Sequence, residues 1–440
     1  MGCEQRAHGG GELMTNTLRQ FEQDKQTLMA FIAEDGFPMA VPVTANVDGD
    51  RLRISARTEV PANSDVAVTV SHIRPQPGVG YDQRRYTTAW GNYDSGVVNV
   101  ERSTGWDEQE VTFFEYCERS VGRGNAYLEK LSEERGYEVK PRLSPGWRFF
   151  LATRVPFLSA TVIPVFLGAV IARFDGFSAW WYVMLALLGA SAIHLGLNVV
   201  NDIFDEEADD ANTTPTPFSG GSRMLQYGLV TRRQMGLMAG VMFGAGIGIG
   251  LFMCAVRGWS LLWLGVPGVL LAYFYTAPPI RLAYRGIGDT AVALGFGPIT
   301  VLGAYFVAAR QFSWGAAVAS IPVALFVMLI LYVNQIPDRT GDALAGKRTL
   351  AVRLSSKAIV TGYAISALVG FAMIPAGVLS GLMPWPTLLG LAGLPLAWVI
   401  WRRIGRDYDE PYALMGAMGY NIGLHALVGI ALIAGYLIAT

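Results

Sequence analysis

The chain is 440 residues long, 52% of them hydrophobic and 16% charged, against roughly 25% charged in an average soluble chain. A net charge of -1 with no basic stripe excludes nucleic-acid binding. Cys3, Cys117 and Cys254 are too scattered for a disulfide framework or a zinc site.

In chain order, residues 1–20 read as disordered. Met1-Gly2-Cys3 suggests lipidation, but Arg6 stands where myristoylation needs Ser or Thr, so no targeting peptide is expected. Residues 21–140 carry an ordinary charge density and read as a soluble, mainly β domain. Alternating runs occur at Met39 to Val47, Arg51 to Arg57, Val66 to His72, Arg84 to Trp90 and Gly96 to Glu101. Asp48-Gly49-Asp50 supplies a hairpin turn, and several short strands with turn signals suggest a small barrel. Thr112 to Arg135 predicts an amphipathic helix, and residues 141–148, with Pro141 and Pro145, form a linker.

From residue 149 to 440, apolar stretches near 20 residues recur, each long enough to cross about 30 Å of hydrocarbon. Nine spans are predicted: Phe149 to Ala172, Ala179 to Val200, Met235 to Val256, Ser260 to Tyr275, Thr290 to Ala309, Trp314 to Gln335, Ile359 to Leu382, Pro384 to Arg402 and Met418 to Ala439. Basic residues gather in alternate loops, after spans two, four, six and eight, with only Arg173, Arg257 and Arg310 opposite. The bias of Lys and Arg toward the inner side puts the N-terminal domain and the longer loops in the cytoplasm and the C-terminus outside. The glycines Gly244, Gly246, Gly248 and Gly250 predict close helix packing, in preference to a groove for an apolar tail. His194 and His425, inside apolar spans, read as hydrogen-bonded core histidines.

Two acidic clusters stand at the ends of spans two and six. Asp202, Asp205 and Asp209 fall at i, i+3 and i+7, one face if the helix continues; Asp338 and Asp342 fall at i and i+4 on the same membrane side. Crowded carboxylates repel, and a divalent cation relieves that cost while keeping positions for phosphate oxygens; hard oxygen donors favour magnesium. Arg223, after Gly220-Gly221-Ser222, and Lys347 and Arg348 supply cations for a diphosphate. Ion transport is the rival reading, but transporters bury ionisable residues at the midplane, and no Asp or Glu falls within a predicted span.

Asn201-Asp202-Ile-Phe-Asp205-Glu-Glu-Ala-Asp209 and Asp338-Arg-Thr-Gly-Asp342 resemble the two aspartate elements of the UbiA superfamily over residues 149 to 440. The stretches Asp342 to Leu354 and Phe218 to Arg223 resemble in particular the dihydroxynaphthoate prenyltransferases of menaquinone synthesis. The resemblance implies an all-α membrane bundle of about nine helices around a lipid-facing cavity. Magnesium would lie among Asn201, Asp202, Asp205, Asp209, Asp338 and Asp342. Tyr275 would stand at the allylic cation, with Arg281 at the diphosphate. The implied activity is transfer of an isoprenyl chain from a polyprenyl diphosphate to a small aromatic acceptor, a naphthoate, in a bacterial-type plasma membrane. A benzoate, a porphyrin-derived ring and a glycerol phosphate remain alternative acceptors; chain length and protein partners are not specified. The N-terminal segment from Gly36 to Arg57, with Ser71-His72-Ile-Arg-Pro, resembles a split barrel of the pyridoxamine-phosphate-oxidase type. That resemblance raises a flavin at Arg53, Arg57, His72 and Arg74, against the plainer reading of these residues as solvated strand positions.

Overall fold

A computed structural model describes residues 18–24, 26–76 and 80–440; the segment expected to be disordered lies mostly outside these residues. The chain divides into two compact units between Arg123 and Gly124.

In the first unit six strands, β1 (Gln26–Ile32), β2 (Pro38–Asp48), β3 (Arg51–Ala56), β4 (Ser64–Gln76), β5 (Gly80–Asp94) and β6 (Val97–Asp107), close into a barrel in the order β1-β2-β3-β6-β5-β4. Every neighbouring pair is antiparallel, and closure leaves no open sheet edge. The expected turn joins β2 to β3, with Gly49 at φ +66°. Ser95 and Gly96, both at positive φ, turn β5 into β6 as a two-residue hairpin loop favours. Inward-facing Met29, Leu52, Val68 and Val98 are fully buried, each contributing about 1.5–3 kcal/mol. Strand β1 was not predicted. Its outward residues Leu28 and Ile32 are also apolar, 52% and 58% exposed, so the alternation that marks a half-buried strand is hidden. The predicted helix is present as α1 (Phe113–Arg135), whose Tyr116 packs on Trp106 at 4.8 Å and shares a 2.7 Å hydrogen bond with Tyr86.

Two of the residues raised for a flavin, Arg53 and His72, do not converge. Arg53 on β3 pairs with Asp48 of its own hairpin, whereas His72 on β4 lies 3.3 Å from Asp24. Strands β6 and β5 separate the two on one side of the barrel, β2 and β1 on the other. The Arg74 side chain lies outside the described residues.

The second unit is helical. Among the described residues eight helices are long and apolar enough to cross a membrane: Val155–Phe174, Trp180–Phe204, Arg232–Arg257, Gly288–Ala309, Trp314–Leu344, Ser356–Leu379, Trp385–Asp407 and Pro411–Ala439. A shorter apolar helix, Trp259–Tyr273, stands where the fourth predicted span falls. The protein is an integral membrane protein.

Several boundaries differ from expectation: span six runs on from Gln335 to Leu344, span nine starts at Pro411 rather than Met418, and the first two spans also shift. The first span starts at Val155, because Arg154 adopts a left-handed conformation (φ 53°) and divides it from a short helix, α2 (Pro145–Ala152), capped by Ser144. The second, α3 (Trp180–Phe204), runs past Val200 and includes Asp202. It stops at Asp205, and the chain resumes as α4 (Glu206–Ala211), so the three aspartates do not share one continuous helix.

Of the four glycines expected to pack closely, only Gly246 does. A Cβ there would lie 2.6 Å from Ile193, while Gly244, Gly248 and Gly250 meet nothing within 4 Å. A closer approach between spans is at Gly168, where a Cβ would stand 2.3 Å from the Val301 carbonyl oxygen. Both histidines are hydrogen-bonded: His194 Nδ1 with Thr161 Oγ1 at 2.7 Å, and His425 Nε2 with the Ser159 carbonyl at 3.3 Å.

Candidate active site

The acidic elements meet because two helices touch at one glycine. In α5 (Trp314–Leu344), Asp338 and Asp342 lie one turn apart with Gly341 between them. A Cβ on Gly341 would sit 2.9 Å from the Ala208 carbonyl oxygen, so the helix touches α4 directly and brings Asp338 and Asp342 beside Asp205 and Asp209. All four carboxylates, with Asn201, line one cavity of about 170 Å³.

Each carboxylate is held differently. Asp338 accepts from Asn212 Nδ2 at 2.7 Å and from the Gly220 backbone N–H at 3.1 Å. Asp205 Oδ2 accepts from Asn201 Nδ2 at 3.2 Å and from Lys347 Nζ at 2.8 Å, while its buried Oδ1 has no hydrogen-bond partner among the described residues. Lys347 also lies 3.3 Å from Asp342, so one ammonium links the two elements. Burial works against that charge, but Asp205 and Asp342 outweigh it and hold the Lys347 pKa well above 10.5. Asp209 is raised well above 3.8, first by burial and then by Asp202 and Asp205. Gly221, at φ +75°, leaves room for it: a Cβ would fall 2.1 Å from Asp209 Oδ2.

Asp202 is placed apart from the other four. Its carboxylate is buried and engaged by Arg154 at 3.1 Å and by the Ser222 backbone N–H at 3.2 Å, and it is not in the cavity wall. The basic candidates also separate. Lys347 lines the cavity, but Arg348 is exposed. Arg223 donates to the Asp209 carbonyl, and Arg281 stacks over Tyr284 at 4.6 Å; neither is in the wall.

Next to the acidic cavity is an apolar one of about 390 Å³, lined by small and aliphatic residues such as Gly246, Leu262 and Gly303. The two share His194, Leu197, Tyr275, Val292 and Phe296. Tyr275 is therefore at the neck between a charged head space and an apolar tail space, with burial pushing its phenol upward so that it stays neutral. The carbonyl of Tyr275 accepts from the Ala283 N–H at 2.9 Å, which ties this loop to the following segment.

Residues 161–434, more than half of the chain, match the UbiA prenyltransferase family. The chain belongs to that family. It is 29% identical over 305 residues to the 2-carboxy-1,4-naphthoquinone phytyltransferase of Synechocystis sp., covering 68% of this chain and 96% of the relative. It is 27% identical over 259 residues to the 1,4-dihydroxy-2-naphthoate octaprenyltransferase of Bacillus subtilis, covering 59% and 82%. A solved structure of a UbiA homologue from Archaeoglobus fulgidus bound to GPP and Mg2+ is 13% identical, with a TM-score of 0.46 over 65% of this chain and 99% of that one.

In this UbiA prenyltransferase the donor set suits a hard cation: Asp205, whose buried Oδ1 is unpartnered among the described residues, lines the cavity with other carboxylates and with Asn201. Among the described residues no three His, Cys, Asp or Glu side chains are gathered closely enough to form a metal group by themselves. Lys347 occupies the space between Asp205 and Asp342.

Three residues of the site escaped the sequence reading. Arg154 was hidden inside a run read as one span. Asn212 follows the first motif by three residues without belonging to it. Asp289 stands one residue before the predicted start of span five, and it is buried in the cavity wall. With Asp202, Asp338 and Asp342 it also corrects the premise that the membrane helices contain no carboxylate.

Proposed function

We propose that this UbiA-family prenyltransferase moves an isoprenyl chain from its diphosphate to a hydroxylated naphthoate. The observation that carries the reading is the shape and polarity of the paired cavities: an acidic head space opens past Tyr275 into an apolar space, matching an amphiphile with a charged head and a hydrocarbon tail. The names of the Synechocystis and Bacillus relatives support a naphthoate as acceptor.

Asp205, Asp209, Asp338 and Asp342, with Asn201, would hold magnesium, and Asp202 serves by orienting Arg154. Magnesium, when bound, neutralises the diphosphate and makes it a better leaving group. Lys347 and Arg154, the two basic side chains in the cavity wall, contact the diphosphate. Arg223, Arg281 and Arg348 act from outside that wall, as an outer ring of positive charge. The Tyr275 ring faces the allylic carbon, and the apolar cavity excludes water from it. The loop charges support an active site on the cytoplasmic side of a bacterial-type plasma membrane. The barrel of the first unit, within the 21–140 read as soluble, is a domain separate from the membrane bundle, and the helix Pro145–Ala152 takes up much of the expected linker 141–148.

Membranes containing the protein, given radiolabelled isoprenyl diphosphate, dihydroxynaphthoate and magnesium, are expected to yield prenylated naphthoate, and Asp205→Ala and Asp338→Ala to abolish it. Aspartate-dependent product with a benzoate or a glycerol phosphate alone would overturn the acceptor. No diphosphate-dependent product with any acceptor would overturn the reading.

A further inference from the structure

One buried carboxylate is left unused by the head space. Asp289 is 5% exposed and lines the acidic cavity, yet it belongs to neither aspartate element. It begins the span Gly288–Ala309, and Val292 and Phe296 follow it at i+3 and i+7 on the same face. Those two residues line both cavities, so the face that starts with Asp289 passes along the neck.

Its partner marks the same level on the facing helix. Gln335 Nε2 donates to Asp289 Oδ1 at 2.7 Å. Along α5 the cavity wall runs from Val327 and Leu331, which are apolar, through Gln335, to Asp338 and Asp342. The Asp289–Gln335 pair therefore stands where the wall changes from hydrocarbon to carboxylate. The backbone next to it packs on the neck tyrosine: a Cβ on Gly288 would come within 3.2 Å of Tyr275 Cε2.

This argument rests on the prenyl-transfer reading. A diphosphate held among Asp205, Asp209, Asp338 and Asp342 with its tail in the apolar cavity leaves its first carbon at the neck. The acceptor ring must reach that carbon. It is a flat apolar body with polar hydroxyls, and burying a hydroxyl without a partner is costly. Among the described residues Gln335 is the one side-chain hydrogen-bond partner shown for Asp289, and it takes a single oxygen. The other oxygen can accept from a ring hydroxyl.

We propose that Asp289, steadied by Gln335, binds the aromatic acceptor by accepting a hydrogen bond from its ring hydroxyl at the neck between the two cavities. A negative oxygen on that hydroxyl also raises the electron density of the ring as it attacks, an interaction that strengthens as positive charge develops there.

The test compares wild type, Asp289→Asn and Asp289→Glu in membranes, with dihydroxynaphthoate and its O-methyl ether as acceptors. Asn keeps the shape and the bond from Gln335 but loses the charge. It is expected to lower kcat/KM for dihydroxynaphthoate about 10- to 100-fold, the range of a hydrogen bond to a charged group. The KM for isoprenyl diphosphate should stay unchanged, and the wild-type preference for the free hydroxyl over the ether should collapse. Glu, which retains the charge, should retain the preference. An unchanged preference in Asp289→Asn with an active wild type would overturn this assignment alone. An equal fall for hydroxyl and ether, with a lower unfolding temperature, would also overturn it by showing a purely structural role. A wild type that transfers isoprenyl to no hydroxylated ring would overturn the aromatic acceptor and this assignment with it.

Discussion

Lys347 has contacts that reach both aspartate elements at once. Its Nζ lies 2.8 Å from Asp205 and 3.3 Å from Asp342, so removing it leaves two buried carboxylates uncompensated, at about 3–5 kcal/mol for a broken buried pair. A divalent cation neutralises the same carboxylates and stabilises whichever state binds it. Lys347→Met is therefore expected to lower the unfolding temperature strongly in chelator and much less in millimolar magnesium. The comparison is by thermal melting in detergent; an equal loss in both buffers would refute the shared use of these oxygens. Because its native pKa is raised above 10.5, the ammonium stays charged through the neutral range, and its own titration removes the contribution only as pH rises through that higher value. The sequence marked Lys347, but it marked Arg348 equally. Only the turn at Gly346 (φ 70°) and the bond from Lys347 N–H to the Asp342 carbonyl point one side chain inward and leave its neighbour exposed.

At the scale of elements, spans and strands were legible wherever one period dominated. The apolar runs located the membrane helices, while boundaries failed where the chain turned without leaving an apolar stretch, as at Arg154. The pairing of the acidic elements was implied by their equal positions at the ends of spans two and six. The contact that enforces it was not legible, because Gly341 looks like any glycine until Ala208 is placed against it. Gly341→Val tests that contact. Two added methyl groups would meet the Ala208 carbonyl and the Asn212 backbone, at 2.9 and 3.0 Å from the first side-chain carbon alone. Overpacking of this kind costs about 1–3 kcal/mol. Its larger effect is to push Asp338 and Asp342 away from Asp205 and Asp209, and a displacement near 1 Å can cost about 10²-fold in rate. The variant should remain folded by size-exclusion and melting, yet lose about two orders of magnitude in transfer. Retained activity would mean that the acidic elements do not need this helix contact.

The barrel and the bundle each have their own hydrophobic core. The barrel core draws on residues between Leu18 and Val100, and the main bundle core on residues between Ala160 and Tyr436. The family match at 161–434 falls entirely within the second unit, and nearly all of the Synechocystis relative aligns with 68% of this chain. Every cavity-lining residue discussed for transfer, from Arg154 to Lys347, likewise belongs to the second unit. A unit with its own core and its own site is expected to fold and act without its neighbour. A chain beginning at Gly124 should therefore insert into membranes and transfer isoprenyl with kcat/KM reduced by less than about tenfold, under 1.4 kcal/mol of transition-state stabilisation. The measurement is the radiolabelled transfer assay on full-length and shortened chains at matched membrane content. A larger loss with normal insertion would mean that the barrel acts on catalysis itself, and adding residues 1–123 as a separate chain would then separate a docking effect from a covalent one.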